Sequence, residues 1–511
     1  EIGVRLVGSE MCIRDRIIIE PHNVSITVED GALLKDSVEK YGIDFPCGGK
    51  GLCGNCHIEL LEGNLEISDK QKEILTKKGL QGERWRLSCL CHVHNDIRVK
   101  IPNREQIILS DNKPTIHKGI KGYAIAIDLG STTIVAQLID RQNGNVINSI
   151  SEINSQNSYG ADIISRISYA MTSQDHAWKL TDTIRKQIGR MIEILTQNTN
   201  VHDIYKIAIV GNSVMHHLFC NLDITPLSSY PFQSDHNEGI EFTPNQLQWN
   251  LPESCRIIFM PNISHFVGSD ILAGIYHLGL YKTEKYNALI DLGTNGEIVI
   301  GNKNKLLCTS TAAGPAFEGV NIINGMRAVS GAICHIDTKT GKIKVIGNVQ
   351  PTGICGSGLI ETIHYKLKQG DITSDGRINN EELTSLPIIN NIKLFDKDIR
   401  EFQLAKAAIA TGFELLVKQL GIIPNDIEHV YIGGGLGNYL NINKALELGL
   451  IKGIKEKNIF KAGNSALAGC KEFTFDAVET EITKILPTIS HYSLETDPNF
   501  QDSYCMNLCL T

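Results

Sequence analysis

The sequence predicts a small α+β domain followed by a larger, two-lobed α/β domain. Three observations lead to this prediction. Strand-like and helix-like segments surround a cysteine-rich loop near the start of the chain, and a strand–Asp–Leu–Gly hairpin then occurs twice, with Asp128 and again with Asp291. Around and after the hairpins, helical segments alternate with short apolar strands, which is the pattern of an α/β fold.

Changes in this pattern place the domain boundaries. The residues before the first strand lack the apolar segment and cleavage site of a signal peptide and connect poorly to that strand, so we interpret them as a non-native leader. Polar residues around Pro114 and Gly119 indicate a linker that would let the first domain move. The predicted segments are the leader over 1–16, the cysteine-containing domain over 17–101, the linker over 102–121, and the lobes over 122–285 and 286–511.

Composition excludes several classes of protein. Hydrophobic residues make up 42% and charged residues 21% of the 511 residues, and no apolar run is long enough to cross a bilayer. The net charge of -8 and the scattered basic residues give no electrostatic footprint for nucleic acid. Most of the fourteen cysteines lie singly among apolar residues, which favours a reducing cytoplasm over a secreted disulfide framework. We therefore expect neither nucleic acid nor a membrane as a partner.

The stretch FPCGGKGLCGNCHIEL predicts a metal centre. Cys47, Cys53 and Cys56 can surround one point only if the backbone folds back on itself, and the glycines permit the positive φ angles that this requires. Three clustered cysteines with a distant fourth, Cys89, match the plant-type iron–sulfur spacing. We predict that these four cysteines hold a [2Fe-2S] cluster, with Cys91 as a spare that could contest the fourth place.

Two other metal centres are weighed against this prediction. Zinc could use two cysteine pairs and leave Cys47 unused. A Rieske centre is disfavoured because no Cys-x-His pair occurs near the loop. The zinc pairs would be Cys53 with Cys56 and Cys89 with Cys91. The histidines that we expect to be surface or neighbouring residues rather than ligands are His57, His92 and His94.

The repeated hairpin predicts a nucleotide site. A strand that ends in Asp before Leu-Gly and polar residues places backbone N–H groups and a carboxylate where a phosphate and its metal can bind. One such turn is weak evidence, but two facing turns would hold the phosphates from both sides, with Asp128 and Asp291 placed to hold Mg²⁺ directly or through water. The phosphate-side candidates are Gly130, Ser131, Thr132, Thr133, Gly293, Thr294 and Asn295.

A third element, HVYIGGGLGN at 429–438, runs from a strand into consecutive glycines. A purine or ribose can lie against the bare backbone of Gly433, Gly434 and Gly435. Glu297 and Asp270 are candidates for orienting the attacking water, with a capping or interlobe role as the alternative for each. These residues complete the predicted nucleotide site.

Two resemblances follow from these motifs. FPCGGKGLCGNC with RLSC resembles ferredoxins of the β-grasp fold. The order of hairpin, hairpin and glycine run resembles the superfamily of actin, sugar kinases and heat-shock chaperone ATPases over residues 122–475, and AGNSALAGC at 462–470 looks like its closing helix. The resemblance implies a β-grasp ferredoxin domain followed by two ribonuclease-H-like lobes around an ATP-binding cleft.

The fusion of these two parts is similar to the ATP-dependent reductive activators of corrinoid proteins. That resemblance implies ATP-dependent reduction of a Co(II) corrinoid protein to Co(I), with the electron passing from an unidentified low-potential donor through the [2Fe-2S] cluster, and it suggests a homodimer. We interpret His216 and His217 as packing residues rather than cobalt ligands. The further matching stretches are VGNSVMHHLF, HFVGSDILAGI, TAAGPAFEGVNI and GICGSGLIE.

Three alternatives remain open from the sequence. A small-molecule kinase of the same superfamily would leave the cysteine loop unexplained. The activator of 2-hydroxyacyl-CoA dehydratases is also an ATP-driven electron donor, but that family has no amino-terminal ferredoxin domain. A redox-sensing iron–sulfur module with a nucleotide cleft and no turnover is the third alternative.

Overall fold

A computed structural model provides the coordinates, and the chain divides into two compact units, Glu1–Glu105 and Gln106–Thr511. The structure describes residues 14–38, 41, 43, 45, 49–78, 80, 82–101, 112–160, 162–229, 232, 234–293, 295–380, 382–437 and 439–510.

The first unit is a five-stranded mixed sheet with two helices. Its first strand alternates exposed and buried residues, so that Ile17 and Ile19 enter the core. This strand spans Arg14–Glu20 and pairs with its neighbour from Arg14 on, so it includes three residues that precede the predicted start of the domain at residue 17. The elements are β1 (Arg14–Glu20), β2 (Val24–Glu29), β3 (Ala32–Leu33), α1 (Leu34–Val38), β4 (His57–Glu62), α2 (Asp69–Lys77), β5 (Trp85–Leu87), β6 (His92–Val93) and β7 (Ile97–Lys100), and the sheet order is β2-β1-β7-β4-β5.

The second unit opens with a six-stranded sheet covered by helices. The sheet order is β10-β9-β8-β11-β13-β12, and the core strands β8 and β11 are almost wholly buried, as parallel strands covered on both faces are. The elements are β8 (Tyr123–Leu129), β9 (Thr133–Asp140), β10 (Val146–Ile153), α3 (Ile163–Ala170), α4 (Gln174–Thr196), β11 (Ile204–Gly211), α5 (Ser213–Cys220), β12 (Ile240–Phe242), α6 (Pro244–Leu247), β13 (Arg256–Phe259) and α7 (Ser269–Leu278).

A second six-stranded sheet follows in the same unit, in the order β23-β22-β14-β15-β16-β24. Its elements are β14 (Tyr286–Leu292), β15 (Gly296–Gly301), β16 (Leu306–Thr311), β17 (Ala332–Ile336), β18 (Ile343–Val345), β19 (Gly353–Ile354), α8 (Gly356–Gln369), β20 (Ser385–Ile389), β21 (Ile392–Phe395), α9 (Asp396–Gln419), β22 (Ile427–Gly433), α10 (Gly434–Gly437), α11 (Ile442–Glu447), β23 (Ile459–Gly463), α12 (Ser465–Phe473), α13 (Asp476–Ile485), β24 (Ile489–His491) and α14 (Phe500–Met506).

The two large sheets share one topology. In each, an antiparallel three-stranded meander is extended by two parallel strands, so that β10-β9-β8-β11-β13 corresponds to β16-β15-β14-β22-β23. The repeated hairpin joins the first two strands of each large sheet, β8 to β9 in the first and β14 to β15 in the second. The predicted internal repeat and the two-lobed α/β fold are therefore confirmed.

Helices α7 and α12 lie between the two sheets. A Cβ added to Gly469 of α12 would lie 2.0 Å from Ala273 O of α7, and one added to Gly274 of α7 would lie 2.8 Å from Leu289 Cδ2 of β14, so α7 packs closely against both α12 and the second sheet. Helix α12 belongs to the predicted second lobe by sequence, but it also contacts β8 and β11 of the first sheet. The two lobes are thus joined through a pair of buried helices.

The prediction of a linker over 102–121 is wrong for its second half. Residues 112–121, here called the strap, belong to the second unit and pack against it. Thr115 Oγ1 donates a hydrogen bond of 2.6 Å to Glu472 Oε2, and Lys471 Nζ donates one of 2.7 Å to the carbonyl of Lys113 in the strap. Glu472 is only 2% exposed, so the strap satisfies a buried carboxylate at the end of α12.

Helix α4 buries one face and exposes the other. Helix α4 directs Leu180, Ile184, Ile188 and Met191 into the core, while charged residues cover its opposite side.

Among the described residues, none of the helices combines the length and the apolar character that crossing a bilayer requires.

Candidate functional sites

The cysteine loop of the first unit turns on glycines. Gly49, Gly51 and Gly54 have φ angles of 80°, 65° and 70°. These angles lie in the left-handed region that glycine adopts without a steric penalty. At Gly51 a side chain is excluded as well, because an added Cβ would lie 2.5 Å from Leu90 Cδ1. Over residues 49–56 the backbone therefore follows the tight path that the sequence predicts.

The loop brings Cys56 next to Cys89, with 3.1 Å between the two Sγ atoms. Ser88 fixes this approach, because its N–H and its hydroxyl both donate to Cys56 O at 3.0 Å. The hydrogen bond with Cys89 and burial raise the pKa of the Cys56 thiol, and repulsion from Cys53 raises it further. Cys56 and Cys89 are therefore in contact, as two ligands of one cluster can be, and Cys53 lies near enough to raise the pKa of Cys56, whereas Cys47 lies outside the described residues. Among the described residues, no three His, Cys, Asp or Glu side chains are already arranged to hold a metal ion.

Cys91 is directed away from these thiols. Its Sγ lies 3.9 Å from Gln71 Oε1 and 4.0 Å from the carbonyl of Glu66. Burial raises the pKa of the Cys91 thiol to about 12, which keeps it protonated. These contacts disfavour the zinc arrangement, which needs the Cys91 thiolate. The three neighbouring histidines also bond elsewhere: His57 with Gly54 O, His92 with Gly31 O and His94 with Asp30.

The second unit has a cavity of about 360 Å³ between its two hairpins. Asp128 and Asp291 stand at corresponding positions, each on the next-to-last residue of the first strand of its sheet. Asp270 enters from the first turn of α7 and Glu297 from β15. All four predicted carboxylates line this single cavity.

Burial dominates the electrostatics of the cavity. It raises the pKa of Asp128 to about 6 and the pKa values of Asp270 and Asp291 to about 7, and it places the pKa of Glu297 well above its usual range. Repulsion among the carboxylates adds to the last three shifts. A group of acids that resist ionisation in this way is suited to a divalent cation, whose charge would reverse the shift.

Most of the predicted phosphate-side residues line the same cavity. The hairpin turns close on themselves, with Gly130 N–H donating to Thr133 O and Gly293 N–H donating to Asn295 O, both at 3.1 Å. Thr294 lies outside the described residues. The predicted residues that line the cavity are Gly130, Ser131, Thr132, Thr133, Gly293, Asn295, Gly434 and Gly435.

The glycine run packs directly against a carboxylate. A Cβ added to Gly434 would lie 2.6 Å from Leu292 O and 2.8 Å from Asp291 Oδ1, and one added to Gly433 would lie 3.0 Å from Asp291 Oδ2. Gly434 also has a φ of 80°. Gly433 and Gly434 thus permit β22 to approach the second hairpin, while Gly435 is open on the cavity side. A role in binding the adenosine stays a prediction.

Several residues of the cleft escaped the sequence analysis. Asn464 caps α12 and donates from Nδ2 to Asp128 Oδ2 at 2.8 Å. Glu318 accepts from Thr132 Oγ1 at 3.5 Å, which links the two lobes across the cavity. Asn464 lies in the AGNSALAGC segment and Glu318 in TAAGPAFEGVNI, so both belong to segments that the sequence comparison with known families had already singled out. No periodic pattern marks either as a ligand.

His216 and His217 do not line the cavity. His217 bonds through its two ring nitrogens with Ser213 O and Ser234 Oγ, both at 2.7 Å. His216 is fully buried and packs edge-on against Phe259. Their environments agree with the packing and hydrogen-bonding interpretation.

Fold and sites together define a class: an iron–sulfur protein of the ferredoxin type fused to an ATPase of the actin and sugar-kinase type. Three family models match in succession. They are the 2Fe-2S iron-sulfur cluster binding domain over residues 17–94, the RACo middle region over 123–283, and the C-terminal domain of RACo, the ASKHA domain, over 285–511.

Relatives narrow the class to one family. The chain is 34% identical over 439 residues to the corrinoid activation enzyme RamQ of Eubacterium limosum, a match that covers 79% of this chain and 74% of that protein. It is 27% identical over 424 residues to the [Co(II) methylated amine-specific corrinoid protein] reductase of Methanosarcina barkeri, covering 76% of each. The chain belongs to the family of corrinoid activation enzymes.

A solved structure supports the fold. The reductive activator for corrinoid,iron-sulfur protein superposes with a TM-score of 0.68 at 24% identity, covering 97% of this chain and 98% of that one. The predicted fold class, a ferredoxin-like domain followed by a two-lobed ATPase fold, is confirmed.

Proposed function

We propose that the protein reduces the Co(II) state of a corrinoid protein to Co(I) in an ATP-dependent one-electron reaction, which returns the corrinoid protein to methyl transfer. The observation that carries the proposal is the presence, on one chain of this family, of converging thiols and of a cleft lined by buried carboxylates. A [2Fe-2S] cluster held by Cys47, Cys53, Cys56 and Cys89 supplies one-electron transfer when bound.

The cleft residues act on the nucleotide. Asp128 and Asp291 would hold Mg²⁺ directly or through water, and the hairpin N–H groups that do not close the turns would bind the phosphate oxygens. Asp270 or Glu297 would orient the attacking water, and burial raises the pKa of both acids, which suits a group that accepts a proton. Gly433, Gly434 and Gly435 leave room for the adenosine.

ATP is needed because the transfer is uphill. Plant-type clusters have potentials near about -400 mV, and each 59 mV of unfavourable potential lowers a one-electron equilibrium constant about tenfold. The Co(II)/Co(I) couple is expected to lie lower still. Closure of the lobes around ATP changes the affinity of this protein for its Co(II) partner, and that binding energy offsets the uphill step.

The remaining parts of the proposal concern partners. The corrinoid protein binds as the substrate, and a separate low-potential donor reduces the cluster. The protein acts as a homodimer in the cytoplasm, where its many free thiols stay reduced.

The test is an anaerobic assay with purified protein, a chemical reductant and a Co(II) corrinoid protein. We expect the absorbance of Co(I) to appear with Mg·ATP and to stay near background with ADP or with the Asp128→Asn and Asp291→Asn variants. ATP turnover that the Co(II) protein does not stimulate would favour the redox sensor. Phosphorylation of a small molecule would favour the kinase.

A further inference from the structure

Three consecutive carbonyl groups of the first hairpin turn are held away from the cleft. Gly130 O accepts from Asn154 Nδ2 at 3.0 Å, Thr132 O accepts from Asn154 N at 2.9 Å, and Ser131 O accepts from Arg166 Nη2. A trans peptide directs its C=O and its N–H in opposite directions. Arg166 does not line the cavity, and it binds the carbonyl of Ser131 on the side of the peptide that faces away from the cavity. The N–H of Thr132, on the opposite side of the same peptide, therefore faces the cavity.

The Arg166 guanidinium is an isolated buried cation. The side chain is 0% exposed, and in the part of the chain that the structure describes no carboxylate oxygen lies within 4.0 Å of its nitrogens. Its partners are neutral acceptors. Besides Ser131 O they are Gly160 O at 2.9 Å, Gln156 Oε1 at 3.3 Å, Asn157 Oδ1 and, at 3.5 Å, Met215 Sδ.

This cation stays charged at neutral pH. Burial lowers the pKa of Arg166 to about 9, Asp162 raises it and Arg327, which lines the cavity, lowers it further. A buried charge with no carboxylate within ion-pair distance is costly to the folded state. An anion on the other side of the Ser131–Thr132 peptide would recover part of that cost.

We propose that Arg166 is a positioning residue for the nucleotide phosphates: it fixes the Ser131–Thr132 peptide with its N–H facing the cleft and places a buried positive charge behind that peptide. The inference rests on the proposed nucleotide site. It makes Arg166 a determinant of how strongly the protein prefers ATP over adenosine, because adenosine has no charge that Arg166 could attract.

The test compares binding of a non-hydrolysable ATP analogue with binding of adenosine. A charge-assisted hydrogen bond contributes enough for Arg166→Gln to weaken the analogue by roughly 10- to 100-fold, while adenosine changes by less than about twofold. Arg166→Lys keeps the charge but loses the planar fork, so we expect an intermediate loss. Arg185→Lys is the matched control, because Arg185 donates to Phe219 O at 2.9 Å in the same lobe and does not line the cavity.

Two results would overturn the inference. Either the Arg166 variants bind the analogue as tightly as the unmodified protein, or they lose the analogue and adenosine equally, as a merely structural defect would produce. If the unmodified protein binds neither compound, the proposed nucleotide site fails as well, and this outcome is distinct from the first two.

A second measurement needs no variant and covers the case in which Arg166→Gln does not fold. In the unmodified protein, hydrogen exchange in the peptide spanning 130–133 should slow at least severalfold with the ATP analogue and not with adenosine. Equal protection by both compounds would contradict the assignment of the Thr132 N–H to the phosphates.

Discussion

Cys91 is the residue that separates a [2Fe-2S] centre from a zinc site in the first unit. Its thiol contacts Gln71, whereas Cys89 meets Cys56 at 3.1 Å. We therefore expect Cys91→Ser to keep two irons and the visible spectrum after anaerobic reconstitution, and Cys89→Ser to lose most of both. Iron analysis and electron paramagnetic resonance of the reduced protein measure the difference. A Cys91→Ser protein without iron, or one that binds zinc in preference, would contradict the assignment.

A second prediction concerns the side chain of His216. Burial lowers its pKa to about 4, and neither ring nitrogen has a hydrogen-bond partner among the described residues. Below the unfolded pKa of about 6.5 the unfolded state binds a proton on this histidine that the folded state does not bind, so the contribution of His216 to stability becomes less favourable as the pH falls toward 4. His216→Leu should remove about 2 kcal/mol of this loss at pH 5.

Denaturant unfolding at pH 5 and pH 7.5 measures the effect of His216→Leu. The exposed His202, on the same lobe, provides the control substitution His202→Leu. If the free energy of unfolding changed by the same amount between the two pH values in His216→Leu and in the unmodified protein, the buried neutral imidazole would not contribute to the pH dependence of stability.

The sequence predicts which residues line the cavity where a motif is repeated. Asp128 and Asp291 could be found because each precedes Leu-Gly at the end of a strand. Arg166 and Asn154 could not, because they act through the backbone of a turn more than twenty residues earlier and belong to no repeated pattern. Their importance depends on which carbonyl they reach, and spacing along the chain does not encode that.

At the scale of elements, the glycine run after β22 can be tested against a glycine of the same backbone conformation. Gly434 (φ 80°) and Gly421 (φ 68°) both lie in the left-handed region, but only Gly434 has neighbours within 4 Å of an added Cβ. Both Gly→Ala changes should cost roughly 1 kcal/mol of stability from the backbone alone. Only Gly434→Ala should also weaken binding of the ATP analogue, by about tenfold or more, because it displaces Asp291.

Calorimetric titration of the two alanine variants distinguishes them. Equal nucleotide affinity in Gly434→Ala and Gly421→Ala would show that the close approach to Asp291 has no part in binding. A loss of affinity in the Gly421→Ala protein would show that the effect is general.

The order of the elements was largely predictable from the sequence, but the packing of the strap against the second unit was not. Two strand hairpins of similar sequence predict two similar sheets, since local pattern decides both. The strap contains proline, glycine and polar residues, which indicate a linker when read locally. Its partner Glu472 lies 357 residues after Thr115, and this long-range hydrogen bond decides its structure.

At the scale of the whole molecule, the cavity carboxylates link pH to stability. The pKa values of Asp270 and Asp291 are raised to about 7, compared with about 4 in an unfolded chain. Between these pH values the two acids bind more protons in the folded protein than in the unfolded one, so they lower the free energy of unfolding as the pH rises, by on the order of 1 kcal/mol per pH unit for each acid.

Melting temperatures from pH 5 to pH 8 test this linkage in the protein without nucleotide. We expect Asp270→Asn to flatten the decline with pH, and saturating Mg·ATP analogue to flatten it in the unmodified protein. If Asp270→Asn left the slope unchanged, the ionisation of this acid would not oppose folding.

The strap also has a practical consequence for anyone who wants to isolate the ATPase portion. A fragment that begins at Tyr123, where the first strand of the sheet starts, would lack Thr115 and its hydrogen bond to the Glu472 carboxylate. The buried carboxylate would then have lost a hydrogen-bond donor in an apolar environment, which destabilises the fold. Such a fragment should express poorly and precipitate, whereas one that begins at Asn112 should remain in solution. The place to cut this chain lies upstream of the strap.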